Sequence, residues 1–142
     1  MDKKEKLFAT KLRSSNLRPT KQRLQISKYL FDRKKTFHFT VEDLDRYFNF
    51  KNLGKKISLA TLYNTVHAFK EAGHLKQIFI SHDRSYFDTN ISSHHHFFDE
   101  KNKEIIDIKS DLVKVSKLPK APNGKSIKEI EVIIKVENDI NS

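Results

Sequence analysis

The sequence predicts an α+β fold in two unequal parts, helices first and strands after. Three observations predict it. Apolar residues recur at spacings of three and four as far as Gly73, which is the period of an amphipathic helix. Beyond Gly73, β-branched and aromatic residues gather in short runs, and Ile130, Val132, Ile134 and Val136 alternate around Glu131 and Lys135, which is the period of a strand. Charge divides in the same way. Met1 to Lys76 holds 18 Lys+Arg against 7 Asp+Glu and Gln77 to Ser142 holds 10 against 11, so the net charge of +10 arises in the helical part.

The elements follow in order. Lys3 to Asn16 forms a first helix with Leu7, Phe8 and Leu12 as its buried side. The run Asn16-Leu17-Arg18-Pro19-Thr20 breaks it, and Thr20 is placed to cap a second helix through Asp32, with Leu24, Ile26, Tyr29, Leu30 and Phe31 apolar. Thr40-Val41-Glu42-Asp43 has the form of a capping box, and Val41, Leu44 and Phe48 form the inward stripe of a third helix. A Lys-rich connection holding Gly54 leads to Ser58–Leu75. Here Leu59, Leu62, Val66 and Phe69 make one helical stripe, Ser58 is the N-cap and Gly73 the stop. The opposite face carries Ala60, Thr61, Tyr63, Asn64, His67, Lys70 and Glu71, short polar groups of the kind that reach base edges and phosphates in a major groove. An ordinary amphipathic surface helix is the alternative.

Leu75–Ser81 and Ser85–Thr89 are two strands across the turn Ser81-His82-Asp83-Arg84. Three short helices followed by a hairpin make a winged helix, with Arg84 at the wing's tip near phosphate. The expected domains are therefore 1–90, winged-helix and DNA-binding, and 91–142, a small α/β dimerisation and sensing domain. In the second, His96–Asp99 and Glu104–Ile108 form a hairpin, Asp111–Lys117 a short helix, Pro119–Gly124 a loop, and the alternating run a half-buried strand. About 50 residues are few for a self-sufficient core, so a metal or a partner subunit is expected.

Composition excludes several classes. Cysteine is absent, which removes disulfides and thiolate metal sites. No run approaches the roughly 20 apolar residues of a membrane span, and MDKKEKLFATKL has no secretory apolar core, so a cytoplasmic protein is expected. Asn90-Ile91-Ser92 matches a glycosylation acceptor but carries no weight in that compartment.

The chemistry lies in Asp88 and Ser93-His94-His95-His96-Phe97. In an extended chain, side chains two apart share a side, so His94 and His96 face one way and His95 the other. Two imidazoles on one side are half of a metal site, and Asp88 and Asp107 can complete it. A shell of nitrogen and oxygen suits Zn²⁺, Mn²⁺ or Fe²⁺, with carboxylates favouring the harder ions. The alternative is a solvated turn of three histidines. His67 is exposed or touches DNA, and His74 and His82 are loop or strand-end residues without a ligand role.

LRPTKQR, FHFTVEDL, ISLATLYNTVHAFKEAGHL, YFDTNISSHHHFF and EIIDI, in this order, resemble the ferric uptake regulator superfamily of bacterial transcription factors over Leu12 to Ile108. The HHHFF run and the YNTVHAF helix are similar to its iron response regulator subgroup. The resemblance implies a DNA-binding homodimer with a hinge near Thr89 to Ser92 and a regulatory divalent metal held by His38, Asp88, His94, His96 and Asp107. It implies Arg18, Thr61, Tyr63 and Asn64 as DNA contacts, and haem at His94, His95 and His96 as an alternative signal. Many relatives close a structural zinc with paired CxxC motifs. Here Asp99 and Asn102 stand at the first pair, so a tetrathiolate structural zinc is excluded. A second metal site is eroded, with His95 at an acidic ligand position and Lys114 near another.

Two rival classes are a His/Asp metal-dependent hydrolase and a metal-independent basic nucleic-acid-binding protein. The first needs a general base that no residue outside the ligand set supplies, and no catalytic residue is assigned. The second leaves the five donors without a purpose.

Overall fold

The computed structural model describes residues 1–51, 56–80 and 84–140, so Gly54 and the turn residues Ser81, His82 and Asp83 lie outside the described residues. The chain divides into two compact units, Met1–Ile91 and Ser92–Ser142.

In the first unit, α1 (Lys3–Ser14) starts at Asp2, whose carboxylate accepts from the Glu5 N–H at 2.8 Å. It buries Phe8, Ala9 and Leu12. Leu7, expected on that side, is 68% exposed. One residue is about 100° of helical turn, so Leu7 and Ala9 cannot both lie beside Phe8 on one narrow face, and it is Ala9 that is fully buried. The helix ends at Asn16 in the left-handed region (φ 62°), where the Leu17 N–H reaches the Leu12 carbonyl and the Asn16 N–H that of Arg13, a Schellman closure. α2 (Lys21–Phe31) is capped by Thr20 as expected. It is tied to α1 by Lys4 to Asp32 at 2.8 Å and by Lys11, whose Nζ lies 4.1 Å over the Phe31 ring. Burial lowers the Lys11 pKa, and the ring face partly offsets that cost.

The capping box opens α3 (Val41–Asp45): Thr40 Oγ1 accepts from the Asp43 N–H at 3.2 Å and Asp43 Oδ2 from the Thr40 N–H at 2.9 Å. Val41, Leu44 and Phe48 are all buried. The helix does not run on in α form, because Arg46–Lys51 widens into a π-helical turn. α4 (Leu59–Glu71) has Ser58 as its N-cap and ends on Gly73 at φ 84°, with His74 N–H to Phe69 O and Gly73 N–H to Lys70 O in a second Schellman closure. Its buried stripe is Leu62, Thr65, Val66 and Phe69. Leu59 is 46% exposed, because Ile57, at 1%, already fills the core beneath the helix start.

β1 (His38–Phe39), β2 (Lys76–Ile78) and β3 (Tyr86–Asp88) form an antiparallel sheet in the order β1-β3-β2. The hairpin of β2 and β3 is the expected wing, and β1 joins it as a strand the periodicity did not predict. Phe39 and Phe87, paired across β1 and β3, stack at 5.8 Å.

In the second unit, β4 (His95–Asp99) pairs antiparallel with β5 (Glu104–Ile108) and parallel with β6 (Ile133–Val136), in the order β5-β4-β6. The hairpin turn closes on itself: Asp99 accepts from the Asn102 backbone at 3.1 Å and side chain at 2.8 Å, which lowers the Asp99 pKa. The expected helix over 111–117 is only a 3-10 turn, Ser110–Leu112. Leu112, Val115 and Leu118 stay exposed among the described residues, and a segment this short cannot nucleate a helix alone. Ile134 and Val136 are each 38% exposed, the half-covered strand expected. Among the described residues, no helix is long and apolar enough to cross a membrane.

Candidate metal centre and recognition helix

Each unit carries part of the expected donor set. In the first, the register of β1 on β3 sets His38 opposite Asp88, and His38 Nε2 lies 3.3 Å from Asp88 Oδ2. The Asp88 side chain is 1% exposed, and its Oδ1 accepts from the Asn90 N–H at 2.8 Å. A carboxylate this deep is retained only where hydrogen bonds and a positive or donor partner offset its desolvation. Thr89 pins the other end of the pairing: its Oγ1 accepts from the Phe37 N–H at 3.0 Å, and its own N–H bonds Phe37 O at 3.2 Å.

In the second unit, β4 and β5 place His96 opposite Asp107. His94 Nε2 and His96 Nε2 converge on one oxygen, Asp107 Oδ1, at 3.2 and 3.4 Å, and the two rings sit edge to face at 4.5 Å. The Nδ1 of His94 bonds the Ser92 carbonyl at 2.8 Å. A carbonyl only accepts, so that nitrogen carries the hydrogen and Nε2 keeps the lone pair a metal needs. Ligand atoms of His94, His96 and Asp107 fall within 4.8 Å of one another, so the donors present fit a small divalent cation.

The outward face of α4 is polar, as expected. Tyr63 is 47% exposed and donates to Glu42 Oε1 at 3.0 Å; that hydrogen bond raises the phenol above its ordinary pKa and keeps it a donor. Asn64 and His67 are exposed, and His67 lies 3.9 Å from Glu71. Thr61 is tied to the cap: Ser58 Oγ accepts from its N–H at 3.2 Å and donates to its Oγ1 at 2.9 Å. Arg18 and Arg84 are exposed.

The sequence model of the ferric uptake regulator family matches residues 14–135. The chain belongs to the ferric uptake regulator family. It is 33% identical over 99 residues to the peroxide-responsive repressor PerR of Staphylococcus epidermidis, a stretch that is 68% of this chain and 61% of that protein. The chain thus spans about three fifths of the length of that curated relative. Its fold is similar to the ferric uptake regulator of Vibrio cholerae, with a TM-score of 0.66 at 20% identity, covering 92% of this chain and 98% of that one. It is equally similar to the Pseudomonas aeruginosa ferric uptake regulator with manganese, with a TM-score of 0.66 at 20% identity over 91% and 96%. These likenesses establish the winged-helix and α/β architecture. The iron response regulator subgroup is finer than they reach.

Set within this family, the histidine run divides as its alternation required. His95 is turned away from His94 and His96, is 7% exposed, and its Nδ1 accepts from the Val132 N–H at 3.0 Å. The haem alternative therefore finds no support, because the three imidazoles do not share a face and one is committed to the backbone of a neighbouring segment. Asp99 and Asn102, which the resemblance set against a CxxC pair, close the turn on each other.

Three residues escaped the sequence reading. Asn49 holds Ile57 by both backbone groups, Nδ2 to Ile57 O at 2.7 Å and Ile57 N–H to Oδ1 at 2.9 Å, and so seats the start of α4. Glu42 orients Tyr63. Glu131 faces His96. No spacing signals any of the three roles, because each depends on tertiary pairing. His74, expected to be a loop or strand-end residue without a ligand role, hydrogen-bonds Ser15 at 2.8 Å, and its pKa is lowered by burial and by the Lys11 charge.

Proposed function

We propose that the chain is a metal-responsive bacterial transcriptional regulator of iron homeostasis genes, a regulator rather than an enzyme, that binds partly palindromic double-stranded DNA as a cytoplasmic homodimer. Residues 1–90 form the DNA-binding domain and 91–142 the dimerisation and sensing domain. His38 and Asp88 from the first, with His94, His96 and Asp107 from the second, hold one divalent cation, Fe²⁺, Mn²⁺ or Zn²⁺. The carrying observation is the convergence of His94 and His96 on a single oxygen of Asp107. Three donors fall short of the four to six that these ions take, and His38 with Asp88 is the remaining pair. A bound cation would supply free energy realised only when both sets of donors hold it, which favours one arrangement of the two units.

Arg18, Thr61, Tyr63 and Asn64 are the DNA contacts, supported by the exposed polar face of α4 and by the basic surplus of the helical part. Homodimer formation is supported by the apolar surface of the second unit, where Ile106, Leu112, Val115 and Leu118 are 45 to 73% exposed. A two-fold dimer reads matching half-sites.

Fluorescence anisotropy tests this, using an A·T-rich partly palindromic duplex and a scrambled one at about physiological salt, where non-specific binding is weak. Selective binding that Mn²⁺ strengthens, chelator reverses and His94→Ala with His96→Ala abolishes is expected. Equal binding to both duplexes under every condition would leave only a basic nucleic-acid-binding protein.

The similarity to peroxide-responsive repressors favours a second reading, in which an oxidant ends metal-dependent binding. The chain has no cysteine and Met1 is its single methionine, so in this reading the oxidant ends metal binding at the donor imidazoles or the cation. Peptide mass spectrometry after peroxide treatment of the Fe²⁺-loaded chain reads it: an added oxygen on a donor histidine is expected, and unmodified histidines would exclude imidazole oxidation.

A further inference from the structure

The two ring nitrogens of His96 face different carboxylates. Nε2 lies 3.4 Å from Asp107 Oδ1, and Nδ1, a buried ring nitrogen, lies 3.5 Å from Glu131 Oε1, an ion-pair distance rather than a formed hydrogen bond. The His96 side chain is 3% exposed and that of Glu131 26%, so the second contact is largely shielded from water. Glu131 is also held in place by its neighbour. Val132 accepts from the His96 N–H at 3.1 Å and donates to His95 Nδ1 at 3.0 Å, and the parallel pairing of β6 on β4 follows directly, with Ile133 opposite His96. Alternation along an extended segment turns Glu131 to the same side as Ile133, which is the side of His96. The bonds of Val132 to His95 and His96 thus set the backbone beside Glu131.

We propose that Glu131 is a positioning residue for the metal centre, its carboxylate taking the Nδ1–H of His96 and so fixing the tautomer whose Nε2 lone pair points to the Asp107 side. The inference rests on the reading that His94, His96 and Asp107 hold a divalent cation. Glu131 is not itself a ligand of that cation, since the two ring nitrogens point to opposite sides of the imidazole. His94 meets the same requirement through a backbone carbonyl, Ser92 O. A carboxylate does more than a carbonyl: it orients the ring and raises the basicity of the coordinating nitrogen, and loss of such partners typically weakens metal binding by about 10- to 100-fold.

The test uses the full chain. Mn²⁺ or Zn²⁺ is titrated in competition with a chromophoric chelator, for wild type, E131A, E131Q and the control E137Q, which removes an exposed carboxylate from the same unit without facing His96. Long-range ¹⁵N–¹H spectra of the metal-free protein report the His96 tautomer. E131A should bind about 10- to 100-fold more weakly, E131Q by a smaller factor, and E137Q like wild type, and the Nδ1–H form should dominate only while Glu131 is present. E131Q keeps the shape of the side chain and reads the charge should E131A fail to fold. Wild-type affinity and an unchanged tautomer in the Glu131 variants would overturn the inference alone. A wild-type chain that takes neither cation would overturn the site reading, and the inference with it.

Discussion

Replacing Asn49 with alanine should unseat the start of α4, and the size of the effect follows from three distances. Asn49 Nδ2 donates to Asp45 Oδ1 at 2.6 Å and to Ile57 O at 2.7 Å, while its Oδ1 accepts from the Ile57 N–H at 2.9 Å. Ile57 is 1% exposed, so neither of its backbone groups has water as a ready substitute. Each buried polar group left without a partner costs about 1–3 kcal/mol, and two give a loss of about 2–4 kcal/mol after partial relaxation. That is a large share of the roughly 5–15 kcal/mol stability of a domain. Urea unfolding followed by tyrosine fluorescence, in a chain without tryptophan, reads the change as a lower midpoint at constant slope. Since Ser58 follows Ile57 directly, duplex affinity should fall as well, even at temperatures where the variant is folded. A loss below about 0.5 kcal/mol, the range of ordinary surface changes, would refute the argument.

Three further outcomes are expected. Thr40→Ala removes one limb of the capping box on α3 and should cost about 1 kcal/mol in the same assay. His95→Ala leaves the Val132 N–H without its acceptor and should lower stability by about 1–3 kcal/mol, while metal affinity stays far closer to wild type than in His94→Ala. Equal metal losses in both would put His95 among the ligands. His74 has a pKa held below its ordinary 6.5, chiefly by burial and then by the Lys11 charge. The unfolded chain therefore takes up the proton first, so stability falls as pH drops below 6.5 and levels off once the folded-state pKa is passed. His74→Gln should flatten that part of the thermal-midpoint profile relative to wild type, and an unchanged slope would show that the fall arises elsewhere.

How much of this was legible depended on whether the cause was local. Caps are local, and Ser58, Thr20 and Thr40 were each found where the spacing put them. Alternation is local too, and it separated His95 from His94 and His96 correctly. The wing was visible as two strand-like runs, but β1 was not, because two residues, His38 and Phe39, carry no period. Their strand character comes from pairing with Asp88 and Phe87, far along the chain. The helix expected over 111–117 failed for the opposite reason: its apolar residues had the right kind, but Leu112 and Val115 stay exposed among the described residues. Glu131 was readable only as the polar member of an alternating strand. Its approach to His96 needed the parallel pairing of β6 with β4, and no turn signal announces a crossover of that length.

The division of donors between residues of two units carries a thermodynamic obligation. If His38 and Asp88 complete a shell begun by His94, His96 and Asp107, cation affinity depends on the arrangement of the units, and so does the fit of paired recognition helices to DNA. Linkage then requires the two to strengthen each other by the same factor. A full switch, from about 1:99 to 99:1, needs roughly 10⁴-fold preference, or about 5.5 kcal/mol, for one arrangement. The complete set of five donors can have such a preference, whereas the three of the second unit alone cannot, because they are the same in every arrangement. Mn²⁺ affinity measured with and without a saturating duplex decides the matter. It should tighten with DNA by the factor that Mn²⁺ adds to DNA binding, and His38→Ala should remove the coupling while leaving residual binding at the second-unit donors. Identical Mn²⁺ affinities in the presence and absence of the duplex would mean that the donors bind a cation without informing the recognition helices.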